Sequence, residues 1–195
     1  MGHRLLFRYI PAHGSDIYWY DKSGWHSKSM PETRRGCFST MHEDRQGNIC
    51  LGVDNALWLF TRATKEWTHY VVPGTPSAHI TSLDFNESGE PRFISLTCDS
   101  QRGCTESTLY HLQDDIWISI SPPNPGGRFF SVLIDPTNQV WVSGTDGVYQ
   151  IVNDQPKLMS YLRVSSWAMD KAGKIWVIGR DPSTDNRLSL WVLNP

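Results

Sequence analysis

Apolar and polar residues alternate along this chain in short runs broken by Gly, Asn, Asp and Pro, the pattern of strands joined by tight turns. One run recurs. An apolar residue, an aromatic, any residue and a second apolar or aromatic residue stand at Ile17-Tyr18-Trp19-Tyr20, Leu57-Trp58-Leu59-Phe60, Leu109-Tyr110-His111-Leu112, Val148-Tyr149-Gln150-Ile151 and Leu190-Trp191-Val192-Leu193. Their aromatics, Tyr18, Trp58, Tyr110, Tyr149 and Trp191, lie 40, 52, 39 and 42 residues apart. A second marker keeps phase with the first: Asp44, Asn86, Asp135 and Asp170 each open an Asp/Asn-x-x-Gly/Asn turn that leads into a β-rich run. Six residues before each stands an apolar residue (Phe38, Ile80, Phe129, Val164), and two residues after that a small hydroxyl (Thr40, Ser82, Ser131, Ser166). A third marker is a tryptophan opening the segment after the aromatic strand, at Trp25, Trp67 and Trp117; the fourth copy has Leu158 in that region.

Each unit therefore reads as four short strands. The first ends at the Asp-x-x-Gly turn, "QVWVSG" typifies the second, "GVYQI" the third and "EWTHYVV" the fourth. Asp54-Asn55 and Asp146-Gly147 join second to third strands, as tight hairpins prefer. A four-stranded unit of about 40 residues, repeated, predicts an all-β fold, a β-propeller of about five four-stranded blades. Large flat side chains then fill the space between blades packed face to face. The approximate blades are 1–35, 36–77, 78–126, 127–161 and 162–195, in one domain spanning 1–195. The end blades are incomplete, since the first lacks an Asp-x-x-Gly strand and the last stops after "LSLWVLN". Three readings follow: a five-bladed ring with incomplete ends, a piece of a larger propeller, or a part completed in a homo-oligomer. A five-blade unit, either closed or cut from a longer chain, is favoured.

Composition narrows the function. A formal charge of −2 with no basic run argues against a nucleic-acid partner. No apolar stretch reaches the roughly 18 residues that membrane insertion needs, and the first fourteen residues are too polar for a secretory signal. Of Cys37, Cys50, Cys98 and Cys104, only the last two are close in sequence, as "CDSQRGC". Two free thiols are the first expectation for that pair, a disulfide the second and a zinc half-site the third.

With these residues in view, the chain resembles the two-component-regulator propeller repeats, which read approximately N-R-V-x-S-I-x-x-D-x-x-G-x-L-W-I-G-T-x-x-G-L-x-x-Y-D. The best copy is "GRFFSVLIDPTNQVWVSGTDGVYQIVND", followed by "RVSSWAMDKAGKIWVIG" and "CFSTMHEDRQGNICLGVDNALWLF". The resemblance covers nearly the whole chain. It implies a bacterial sensor domain that takes its ligand outside the cytoplasm and a polar or basic residue just before each first strand.

The aspartates are read as turn formers, because Asn86 replaces the charge in the second copy. The seven histidines are scattered, and there is no G-x-S-x-G elbow, H-E-x-x-H or phosphate loop. The expectation is a chain that is not an enzyme, with no catalytic residue, metal site or cofactor. Position offers better candidates. Cys37, His79, Arg128 and Arg163 stand immediately before the first strands, where equivalent blade positions converge on the channel mouth. Two arginines and a histidine there suit an anionic or hydroxyl-rich ligand, with Thr40, Ser82, Ser131 and Ser166 one step deeper. The first functional reading is thus a ligand-sensing module for a small anionic molecule or carbohydrate. The second is a protein–protein scaffold using loop faces or open blade edges, and the third a propeller lyase or hydrolase.

Overall fold

The computed structural model describes residues 4–10, 14–31, 38–73, 78–99, 101, 103–114, 116–170, 172–184 and 187–193. Among them every helical or extended element is a strand, eighteen in all, and each sheet is an antiparallel meander. The first sheet holds β1 (Arg4–Ile10), β2 (Gly14–Asp21) and β3 (Gly24–Ser29). The second holds β4 (Phe38–Glu43), β5 (Ile49–Val53), β6 (Ala56–Thr61) and β7 (Glu66–Val71). The third holds β8 (Ala78–Phe85), β9 (Pro91–Asp99), β10 (Gly103–Gln113) and β11 (Ile116–Ile120). The fourth holds β12 (Phe129–Ile134), β13 (Val140–Gly144), β14 (Gly147–Val152) and β15 (Gln155–Ser160). The fifth holds β16 (Arg163–Met169), β17 (Ile175–Arg180) and β18 (Leu188–Leu193).

The recurring aspartate closes the turn between first and second strands. Asp135 Oδ1 accepts the backbone N–H groups of Thr137 (2.8 Å) and Gln139 (3.0 Å), and Oδ2 accepts the Trp141 indole N–H at 3.1 Å. Asp170 repeats this with Ala172, Lys174 and Trp176, and Asp44 holds Gln46 and Asn48. Asn86 needs no charge to accept from the Glu90 N–H at 2.8 Å. The last residue of the turn is left-handed in every copy: Gly47 at φ 84°, Gly89 at 82°, Asn138 at 64° and Gly173 at 82°. That is why Gly or Asn recurs three residues after the acid. Burial opposes ionisation of Asp135, but its hydrogen bonds from Thr137, Trp141 and Gln139 outweigh it and hold the carboxyl below its ordinary pKa.

The apolar-x-hydroxyl marker also has a backbone meaning. The ladder between first and second strands shifts register between Phe38 and Thr40, Ile80 and Ser82, Phe129 and Ser131, and Val164 and Ser166. A β-bulge thus stands at one place in four sheets, adding twist where the inner strand bends.

Alternation of side chains gives each sheet two apolar faces, and four clusters lie between consecutive sheets. Ile17 and Trp19 of the first sheet pack on Ile49, Leu51, Phe60 and Trp67 of the second. Cys50 and Leu57 meet Ile80, Phe93 and Trp117 across the second and third. Ile94 and Leu109 meet Val140, Val142 and Tyr149, with Leu158 filling the region that Trp67 and Trp117 hold in earlier copies. Trp141 and Val148 meet Ile175, Val177 and Trp191. No such cluster joins the fifth sheet to the first among the described residues.

One expectation is corrected here. Cys98 and Cys104 are not two free thiols; they are bonded as a disulfide across the paired strands β9 and β10. This hairpin is the longest in the chain, and its extra length accounts for the 52-residue interval between Trp58 and Tyr110. Cys50 is a buried free thiol in the second-to-third interface, and burial pushes its pKa far up, so it behaves as an apolar side chain.

Three outcomes follow. Asp135→Ala leaves the buried Trp141 indole N–H without its acceptor, while the more exposed turn donors turn to water, and equilibrium denaturation should show a loss of roughly 1–3 kcal/mol. Because the folded pKa of Asp135 is depressed, its contribution is complete above the ordinary carboxylate value and fades as pH falls through the folded pKa. Asp135→Asn should therefore flatten the acid limb of a stability–pH profile below the ordinary carboxylate pKa of about 4. Reducing the Cys98–Cys104 bond releases a short loop, worth about 2 kcal/mol; a thermal melt with reductant should fall by roughly 4–8 °C.

Candidate functional site

The fourth and fifth sheets form an open cleft of about 510 Å³ at the end where Asp146-Gly147 turns the chain from β13 into β14. The turn demands glycine there. Gly147 has φ 146°, and a Cβ at this position would collide with the Ser160 carbonyl oxygen. Close approach of Ser160 and Tyr161 to this turn therefore brings the start of the fifth sheet, with Tyr161 and Arg163, into the same cleft as Asp146. Asn124 and Pro182 complete the wall from the connections on either side.

The polar groups converge on Asp146. Its Oδ2 accepts Asn124 Nδ2–H at 2.9 Å and lies 3.4 Å from the Tyr149 hydroxyl. Burial, and then the Asp146 charge, raise the Tyr149 pKa, so the phenol stays a proton donor at neutral pH. Arg163 is exposed on the opposite wall, with no carboxylate or carbonyl partner among the described residues. Tyr161 stands at the rim, 65% exposed, and a second depression of about 430 Å³ continues past it to Asp181 and Ser183. The cleft thus offers a cation, a carboxylate with a phenol beside it, an amide and an open aromatic face.

The residues expected at a channel mouth are not gathered into one cleft. Arg163 lies in this cleft. Arg128 instead donates from Nη1 to the Cys104 carbonyl at 2.9 Å, which ties the disulfide hairpin to the fourth sheet. His79 is half-buried on β8 opposite Leu96, and Cys37 is outside the described residues. Among the hydroxyls, Ser82 accepts the Val132 N–H at 3.0 Å and so joins the inner strands of the third and fourth sheets. Ser131 pairs with Ser143 at 2.7 Å. The Thr40 methyl presses on Gly52, and Ser166 is exposed on β16 beyond the bulge.

A second polar group lies along the inner strands. Asp84 accepts the Ile134 N–H at 2.7 Å and has His42 Nε2 at 3.6 Å, so one carboxylate spans elements of three sheets. Burial raises its pKa. Sequence reading did not single out Asp84, and it read Asp146 and Tyr149 only as turn and packing residues. Their joint setting depends on segments far apart in the chain, which no local motif reports.

No family model matches the chain, and no curated protein matches it in sequence. Solved structures do match in fold. A catalytically inactive virginiamycin B lyase from Staphylococcus aureus, with quinupristin, superposes at a TM-score of 0.62 and 10% identity, covering 100% of this chain and 75% of that one. A streptogramin B lyase gives 0.62 at 14% identity, over 92% of this chain and 61% of that one. The extracellular domain of a protein assigned as a hybrid two-component system, BT4673 from B. thetaiotaomicron, gives 0.59 at 16% identity, over 89% of this chain and 24% of that one. The chain is an all-β propeller module, five sheets arranged as consecutive blades with three-stranded ends.

These neighbours correct the expectation that the chain is not an enzyme. Two of them are lyases built on the same fold. The absence of catalytic motifs in the sequence therefore excludes little, because propellers draw reactive groups from separate blades and not from one local run.

Proposed function

We propose that this propeller binds a small polar ligand, anionic or carbohydrate-like, in the cleft between the fourth and fifth sheets. The observation that carries the reading is the pairing of an exposed Arg163 with Asp146 across a cleft rimmed by Tyr161. A guanidinium suits a carboxylate or phosphate oxygen, an Asp/Asn pair suits sugar hydroxyls, and an exposed phenol ring suits the apolar face of a pyranose or a planar group. The cleft volume of about 510 Å³ is that of a small-molecule site. Likeness to the extracellular domain of a two-component system supports a sensory role for such binding, in keeping with the repeat resemblance in the sequence.

The lyase neighbours favour a second reading, in which the bound ligand is also converted. The Asp146–Tyr149 pair would be its proton-carrying groups, since the phenol keeps its proton and the carboxylate can accept one.

Calorimetric titration with uronic acids, sugar phosphates and neutral sugars tests the binding. Arg163→Ala should weaken the best anionic ligand about tenfold or more and leave neutral sugars less affected, while Arg128→Ala should leave affinity unchanged. Equal affinity in wild type and Arg163→Ala would exclude the cleft. Following the same ligand by mass spectrometry separates binding from conversion.

A further inference from the structure

The two ends of the stack expose faces that are buried everywhere else. Leu57, Leu109 and Val148 occupy one position on the third strand of the second, third and fourth sheets, and each is 0% exposed beneath the sheet that follows. Leu190 occupies that position in the fifth sheet and is 63% exposed. Trp141 and Trp176 both stand six residues after the turn aspartate; the former is 3% exposed and the latter 39%. Ile178, Leu188 and Val192 share the open face, since Trp176 pairs with Val192, and Ile178 with Leu190, across β17 and β18.

The opposite end mirrors this. Tyr18 matches Trp58, Tyr110, Tyr149 and Trp191, each of which packs on the sheet before it. Trp25 matches Trp67 and Trp117, which fill the same interfaces. In the first sheet no sheet covers them among the described residues, and Trp25 and Tyr20 are exposed. The chain therefore carries an unfilled socket on its fifth sheet and, on its first, the aromatic face that fills such sockets elsewhere.

We propose that a second copy of this chain docks its first sheet on the exposed face of the fifth, continuing the sheet-on-sheet stack between molecules. Continuity with the four internal interfaces argues for this occupant. The aromatic face of each following sheet enters the aliphatic face of the sheet before it, and another copy brings the Tyr18–Tyr20–Trp25 face to Trp176 and Leu190 in that same order. The contact is heterologous, using different patches on the two copies. Exposed apolar faces of this kind mark association surfaces.

Sedimentation of purified chain across a concentration series tests it. The mass should rise with concentration above the 22.3 kDa monomer. Leu190→Glu blocks one face and Trp25→Glu the other, so each variant alone should remain monomeric. Mixed in equal amounts, they should form a species of twice the monomer mass and nothing larger, because each retains the face the other needs. Both positions are exposed, so folding should persist; near-ultraviolet circular dichroism checks it, with Ile178→Lys and Tyr20→Glu as a replacement pair. Wild type that stays monomeric at all concentrations overturns the proposal, as does a mixture that stays monomeric. Self-association of Trp25→Glu alone also overturns it, since it would mean that fifth sheets pair with each other.

Discussion

The structure depends on burying both faces of thin antiparallel sheets. A three- or four-stranded meander of this length has too little core of its own, and each sheet here is stabilised chiefly by a neighbour on either side. The second, third and fourth sheets have two neighbours, and every residue of β5 and of β13 is buried. The turn aspartates, the bulges and the glycines at close approaches serve this stacking. Asp135 both shapes a turn and holds the Trp141 indole against the fifth sheet. Ser82 and Asp84 accept backbone N–H groups of the next sheet's inner strand, which fixes how adjacent sheets meet near the axis.

Much of this was legible because a repeat writes the same physical demand several times. The Asp-x-x-Gly spacing reported a turn, and Asn86 showed that the slot needs an acceptor and not a charge. The aromatic period reported the interfaces. The apolar-x-hydroxyl marker was seen without its backbone meaning, since a bulge leaves no trace of its own in a sequence and only the ladder register reveals it. Cys98 and Cys104 were open for a similar reason. Their spacing fits free thiols or a bond, and what decides is that β9 and β10 place them opposite each other.

Of the residues lining the cleft, sequence reading had named Arg163 alone, for a channel mouth, from its place at the head of a first strand. Arg128, in the matching place, is drawn to the Cys104 carbonyl by a hairpin that only the third sheet possesses. Equivalent positions diverge wherever one copy carries an insertion, and a repeat pattern has no means of showing that. Asp146, Tyr149 and Tyr161 each had a sufficient structural explanation, so nothing in their local sequence called for a second role. Sheet packing supplies that role by bringing Ser160 and Tyr161 against the Asp146-Gly147 turn. The same argument removes the inference from missing motifs to missing catalysis.

If burial between sheets is what holds the fold, protection should follow the number of covered faces. Amide hydrogen exchange read by mass spectrometry at high dilution measures this strand by strand. The account predicts slowest exchange in β13 and β14, which lie between two sheets, and clearly faster exchange in β17 and β18, covered on one face only. Equal protection of β17, β18 and β13 at dilution would contradict it, because the fifth sheet would then owe its stability to something other than neighbours on its faces.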